Sequence, residues 1–281
     1  MILFIFILFA QKCVAFDVPL SSCKSDLNID NNHYNISTTY PIDDAYPSDA
    51  HYDDHGNLFF VENGRNSNGY YFNAKIIKNN STTPQQIPGL PNGITYSIAV
   101  DKNNEKVYFS TGKGIFAYNY DTQNATLISK PHIKFNMIFV DKEGNKYVTE
   151  NVDGIEEVYL LVGESKIYFK SLEALEEMAI DSNNNFYFIK QEKLFVLKST
   201  QSSPTLIGSI PYDGIAQISF YDERVFIASK NFTYFHENDT KFMRVIGNVT
   251  EKVSAIAFDN DGNFILGVYG KLLQYKKHQC Y

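Results

Sequence analysis

One phrase recurs along this chain, and its period limits the possible folds more than any other feature. The phrase is a short apolar run, an acidic or polar residue, a polar turn with Gly or Asn, and an aromatic β-run. It reads AHYDDHGNLFFV around Asp53, IAVDKNNEKVYF around Asp101 and IFVDKEGNKYV around Asp141. It returns as AIDSNNNFYFI around Asp181, ISFYDERVFIA around Tyr221 and IAFDNDGNFILG around Asp259. The anchors lie about 40 residues apart, with one longer first interval. Period-2 alternation interrupted by turn residues marks each copy as a β-hairpin. Gly56, Gly144 and Gly262 stand where the turn needs a positive φ, and Asn104 and Asn184 occupy the matching places.

A period near 40 with several short strands per unit is the signature of a β-propeller, whose blades bury their faces only by stacking on one another. Helical solenoids share the period, but the one helix-leaning stretch, Ser171 to Glu177, is short. Six copies therefore predict an all-β, six-bladed β-propeller, and the absence of Trp rules out the WD40 class. The last copy supplies strands at about Ala255–Asp259, Asn263–Val268 and Lys271–Lys276, which leaves its blade one strand short. Asn32 to Tyr40 (NHYNISTTY) is free to fill that place, antiparallel to Lys271–Lys276, so that an N-terminal strand closes the ring.

The chain opens on MILFIFILFA, an uncharged apolar run followed by small residues at Cys13 and Ala15. This reads as a signal peptide over residues 1–15, without the usual basic n-region; an anchored N-terminus is the alternative. Residues 16–281 are then expected to form a single propeller domain of a secreted protein. Two cysteines remain after cleavage, Cys23 and Cys280, one near each end, and in an oxidising compartment they read as one disulfide, with free thiols as the alternative. Asn-x-Ser/Thr occurs at Asn35, Asn79, Asn80, Asn124, Asn231, Asn238 and Asn248, marking candidate N-glycosylation loops. A net charge of −7 argues against nucleic acid or an anionic membrane as partner, and a monomer is expected.

Motifs that carry chemistry are weak. His51 and His55 are four apart but bracket a strand and its turn, so they do not share a helix face. DNDGN at Asp259–Asn263 starts like a calcium loop, yet its Gly is early and its twelfth position is Gly270. Gly112-Lys113-Gly114 lacks the rest of a P-loop, and no Gly-x-Ser-x-Gly is present. The residues just before each innermost strand should line the tunnel mouth. Five back from the anchors these are Ser48, Tyr96, Asn136, Glu176, Ala216 and Ser254; four back they are Asp49, Ser97, Met137, Glu177, Gln217 and Ala255.

This repeat pattern resembles the gluconolactonase/senescence-marker family of six-bladed lactonases. The resemblance implies a divalent metal held by acidic and Asn side chains at the five-back position. Asn136 and Glu176 match in type, whereas Ser48 and Tyr96 replace a Glu and an Asn, so no metal site and no cofactor are expected; ordinary tunnel lining is an equal reading of Asn136 and Glu176. The length, one Cys near each end, and the segments YSIAVDKNNEKVYFSTGKGIFAYNY and IAFDNDGNFILGVYGKLLQYKK also resemble the insect ommochrome-binding proteins. That likeness implies a non-catalytic carrier, extracellular in haemolymph, whose partner is a planar aromatic pigment. Tyr96, Asn136, Glu176 and Gln217 are the candidate ligand-binding residues, with no catalytic residues. A metal-dependent lactonase-like hydrolase and a protein-docking propeller are the alternatives.

Overall fold

The computed structural model describes residues 25–29, 32–129, 133–210, 212, 214–222, 224–236, 244–245 and 251–278. Cys23 and Cys280, the segment 1–15, Asn238 and Asn248 lie outside the described residues.

Among the described residues the chain forms six antiparallel sheets in sequence order. The first holds Ala45–Tyr52, Leu58–Asn66, Gly69–Ile77 and Gln85–Gln86. Sheets two to five are four-stranded in the same way, and their first strands are Thr95–Asp101, Ile138–Val140, Glu177–Ile180 and Gln217–Tyr221. The sixth has five strands: Val253–Phe258, Phe264–Val268 and Lys271–His278, then Asn32–Pro41 and Leu27–Ile29. Asn32–Pro41 pairs antiparallel with Lys271–His278, from His33 opposite His278 to Pro41 opposite Lys271. The fifth strand of that sheet was not expected. Its short L-N-I pattern turns Leu27 and Ile29 inward and Asn28 outward, beside Tyr34.

Each buried apolar cluster lies between two consecutive sheets. Phe59, Ile76, Ile98 and Phe109 join the first two sheets, while Ala99, Ile138 and Val148 join the second to the third. Met178 and Phe188 pack with Val158 between the third and fourth, and Tyr187 and Ile189 with Ile218 and Ile227 between the fourth and fifth. Phe226 and Phe232 meet Phe258, Phe264 and Tyr34 between the fifth and sixth. A last cluster, with Ala45, Phe60, Ile265 and Leu272, packs the sixth against the first. The first strands contact one another in the same order, and Val253–Phe258 contacts Ala45–Tyr52. Second strands are covered on both sides, which is why they read as unbroken apolar runs such as Leu58–Val61 and Phe264–Val268.

The recurrent acid has a local task. In four copies its carboxylate closes the turn by accepting two bonds from an Asn four residues on. Asp53 accepts from Asn57 N and Nδ2 at 2.7 and 2.8 Å, and Asp141 from Asn145 at 2.9 Å each. Asp181 and Asp259 do the same with Asn185 and Asn263. Gly56, Gly144, Asn184 and Gly262 take positive φ, between 60° and 82°. Asn104 does not. In that copy Glu105 stands where the others have the closing Asn, so Asn104 itself bonds Asp101 and the left-handed residue becomes Glu105, at φ 51°. The turn tightens into a single 3₁₀ turn, Lys102–Asn104. The helix-leaning stretch reduces to another, Lys170–Leu172, and Glu177 already belongs to a strand. Asp141→Ala removes the acceptor for Asn145 and Glu143 N–H groups. A loss of about 1 kcal/mol in urea unfolding is expected, because the turn loses its closing hydrogen bonds while the exposed Glu143 and Asn145 can turn to water.

Candidate functional site

The four-back residues tie neighbouring sheets together across the tunnel. Asp49 Oδ2 accepts from Ile98 N at 2.5 Å, Ser97 Oγ from Ile138 N at 3.2 Å, and Gln217 Oε1 from Ile256 N at 2.9 Å. In each case the side chain of one sheet caps the innermost strand of the next. Two four-back positions are apolar, and their gaps are filled by neighbours. Met137 has no acceptor for Met178 N, so Glu177 Oε1 takes that N–H at 3.1 Å. Ala255 has none for Ala50 N, so Gln217 Oε1 accepts it at 3.0 Å, and Gln217 Nε2 donates to Ala50 O at 2.7 Å. Gln217 is thus buried between the fifth, sixth and first sheets rather than presented at the mouth.

Two cavities lie along the tunnel. The larger, about 320 Å³, is bounded by the innermost strands and includes His51, Tyr52, Asp181 and Ser219. The smaller, about 130 Å³, lies at the mouth against Ser48, Tyr96, Glu176 and Tyr212. Asp49 and Glu177 border both, forming the neck between them.

Of the four candidate ligand residues, Tyr96 and Glu176 reach the mouth cavity. Asn136 is turned aside: its Nδ2 donates to Glu156 Oε1 at 2.6 Å, where Asn151 also donates. Tyr96 is packed edge-on by Phe72, with centroids 5.4 Å apart, and Lys134 Nζ lies 5.2 Å from its ring centroid. Burial raises its phenol pKa above the ordinary value. The residues at the lactonase metal positions do not fit a divalent ion. Ser48 Oγ donates to Val61 O, Asn136 is engaged by Glu156, Tyr96 offers a ring, and Glu176 Oε1 accepts from Gln191 N. Among the described residues no three His, Cys, Asp or Glu side chains gather closely enough to hold one metal ion.

Counting back from the anchors placed Asp49 and Glu177 at the mouth but did not distinguish their chemistry. Asp49 sits at φ 47°, in the left-handed region, where the register shifts between Ser48 and His51. This irregularity aims Asp49 Oδ1 at His51 Nε2, 2.7 Å away, while Oδ2 holds Ile98 N. Glu177 has lost most of its hydration, and the Asp49 carboxylate stands near it. Both effects push its carboxyl well above the usual range, burial first, against the small opposing pull of Met178 N–H. The neck therefore combines a carboxylate–imidazole pair with a second acid that retains its proton to unusually high pH. The signal was two consecutive acids, Glu176-Glu177, at positions where other copies carry neutral residues or a single acid.

No family model matches this sequence, and no curated protein matches it. Solved structures do. A gluconolactonase from Xanthomonas campestris superposes with a TM-score of 0.68 at 11% identity, covering 92% of this chain and 96% of that one. Streptogramin B lyase gives 0.55 at 11% identity over 88% of this chain and 98% of that one. A chain of a nidogen/laminin complex gives 0.54 at 11% identity over 72% and 84%. At such identities the likeness is one of fold, and the fold is a β-propeller of the kind seen in gluconolactonases.

Proposed function

We propose that this chain is a six-bladed propeller, closed by Asn32–Pro41, whose tunnel neck performs acid–base hydrolysis of a small lactone-like molecule. The observation that carries this reading is the pairing of Glu177, an acid held protonated by burial, with the Asp49–His51 pair 2.7 Å apart in a tunnel open to small solutes. A carboxyl whose surroundings raise its pKa is suited to the role of acid beside a separate base. Asp49 orients the His51 imidazole, which takes a proton from water as the water oxygen bonds to the carbonyl carbon. The ring C–O bond breaks, Glu177 gives its proton to the departing alkoxide, and the His51 proton returns to Glu177 through solvent. The likeness to a gluconolactonase in fold supports the reaction class.

The test is pH-stat hydrolysis of small lactones by the purified chain. Glu177→Gln and His51→Ala are each expected to lower kcat at least a hundredfold, within the range for a general acid or base. Turnover equal to the uncatalysed rate, or unaffected by both substitutions, overturns the proposal.

Carriage of a planar aromatic pigment is a second reading, favoured by Tyr96 at the mouth. The small mouth cavity, and the approach of Phe72 and Lys134 to the Tyr96 ring, weigh against a stacked tricyclic ligand. Saturable quenching on titration with the pigment, weakened about tenfold by Tyr96→Ala, would establish that reading instead. In either case we take the protein to be secreted, monomeric and glycosylated. Asn80, exposed at φ 65°, is then a freer acceptor than Asn79, whose Nδ2 is held by His55 O at 3.0 Å.

A further inference from the structure

We propose that the mouth cavity binds a small organic ammonium ion, at Glu176 and Asp49 with the face of Tyr96. This inference goes beyond the hydrolytic reading and does not depend on turnover.

The lining is unusual in its balance. Asp49, Glu176 and Glu177 border a space of about 130 Å³, and no Lys, Arg or His is among its described lining residues. One carboxylate oxygen, Glu176 Oε2, is buried and has no hydrogen-bond partner. A desolvated carboxylate oxygen left alone is costly unless something cationic or hydrogen-bonding fills the space before it. The other oxygen, Glu176 Oε1, is already engaged by Gln191 N, so Oε2 is the atom left to receive a ligand.

The chemistry of the lining selects the kind of cation. A metal ion needs oxygens converging at short distance, and the acids here are not gathered that closely. An alkylammonium spreads its charge over a larger volume and is satisfied by spaced carboxylates and an aromatic face. Tyr96, whose hydroxyl lies near Gly112, offers its ring, and it lines the cavity together with Tyr212. The chain's own Lys134 Nζ stands 5.2 Å from the Tyr96 ring centroid, within the range of a cation–π contact. The volume equals about four waters at roughly 30 Å³ each, which suits a group the size of tetramethylammonium.

Isothermal titration of the full chain with tetramethylammonium, and with tert-butyl alcohol as a neutral analogue of similar shape, tests this directly. Saturable binding of the cation, at least tenfold tighter than the alcohol, is expected. Glu176→Gln and Tyr96→Leu should each weaken it at least fivefold. Lys134→Ala, at an exposed position, should tighten it about twofold to fivefold by removing the internal competitor. That last change runs opposite to general damage. Equal affinity for the alcohol, weaker binding in Lys134→Ala, or calcium binding that excludes the ammonium ion at the same residues would each overturn the proposal. If Glu176→Gln fails to fold, the cation-to-alcohol ratio in the natural chain and the Lys134 variant decide the question.

Discussion

Gln217→Ala is expected to lower stability by about 3–5 kcal/mol, among the largest effects available from a single polar residue here. The side-chain amide makes three bonds to main-chain groups of other sheets: Ala50 N, Ala50 O and Ile256 N. Ala50 and Ile256 are both 0% exposed. Truncation leaves all three groups without a partner at about 1–3 kcal/mol each, reduced where water from the adjoining tunnel cavity reaches them. In a domain of this size that corresponds to a fall of about 10 °C in Tm. Gln217→Glu separates the contributions. It keeps both acceptor bonds but cannot donate to Ala50 O, and it brings a negative charge against that oxygen, so an intermediate loss is expected. Thermal unfolding followed by circular dichroism decides the matter, and a loss under 1 kcal/mol for alanine would show that the amide does not join the sheets.

Glu177→Gln is expected to act in the opposite direction on stability. The folded-state pKa of Glu177 lies above its unfolded value. The stability linked to its protonated form is therefore complete below the unfolded pKa and is lost as pH rises through the folded pKa. Glutamine undergoes no such loss, and its Oε1 can still accept Met178 N–H. At neutral pH the variant should therefore melt at a higher temperature than the natural chain. The difference should vanish towards pH 4. The same variant is the one expected to lose hydrolytic activity, a combination typical of functional groups kept at a cost to the fold. A variant no more stable than the natural chain at neutral pH would show that Glu177 is well accommodated in its charged form.

The repeat made most of the architecture legible. Asp53, Asp141, Asp181 and Asp259 sit at strand ends because each carboxylate closes its own turn, so local chemistry alone writes the period into the sequence. Asn104 was misplaced by one residue because the periodic pattern does not register that Glu105 cannot replace the closing Asn. Leu27–Ile29 escaped notice for a different reason: three residues carry too little alternation to stand out, and only packing beside Tyr34 gives them a place. The candidate site was less legible. Tyr96 and Glu176 fall where counting puts them. Asn136 is drawn away by Glu156, a partner in another strand of the same sheet, and Gln217 is claimed by the main chain of Ala50, far away in sequence. Nothing local encodes either contact. The raised pKa of Glu177 depends in part on Asp49 from the first sheet, a partner far away in sequence.

The sixth sheet also has a meaning in time. Sheets one to five pair strands that follow one another in sequence, and each can begin as a hairpin within microseconds. In the sixth, Ser37 meets Gln274 across a separation of 237 positions. Joining such distant partners adds little to the equilibrium cost, because loop entropy grows only with the logarithm of length. It weighs far more on the rate, since long-range pairing must wait for chance encounter. Until Lys271–His278 is in place, only the side of Asn32–Pro41 next to Leu27–Ile29 is paired, and the opposite edge stays open. For that interval the protein is open to pairing with the same strand of another copy, so slow synthesis or crowding should favour strand-exchanged oligomers.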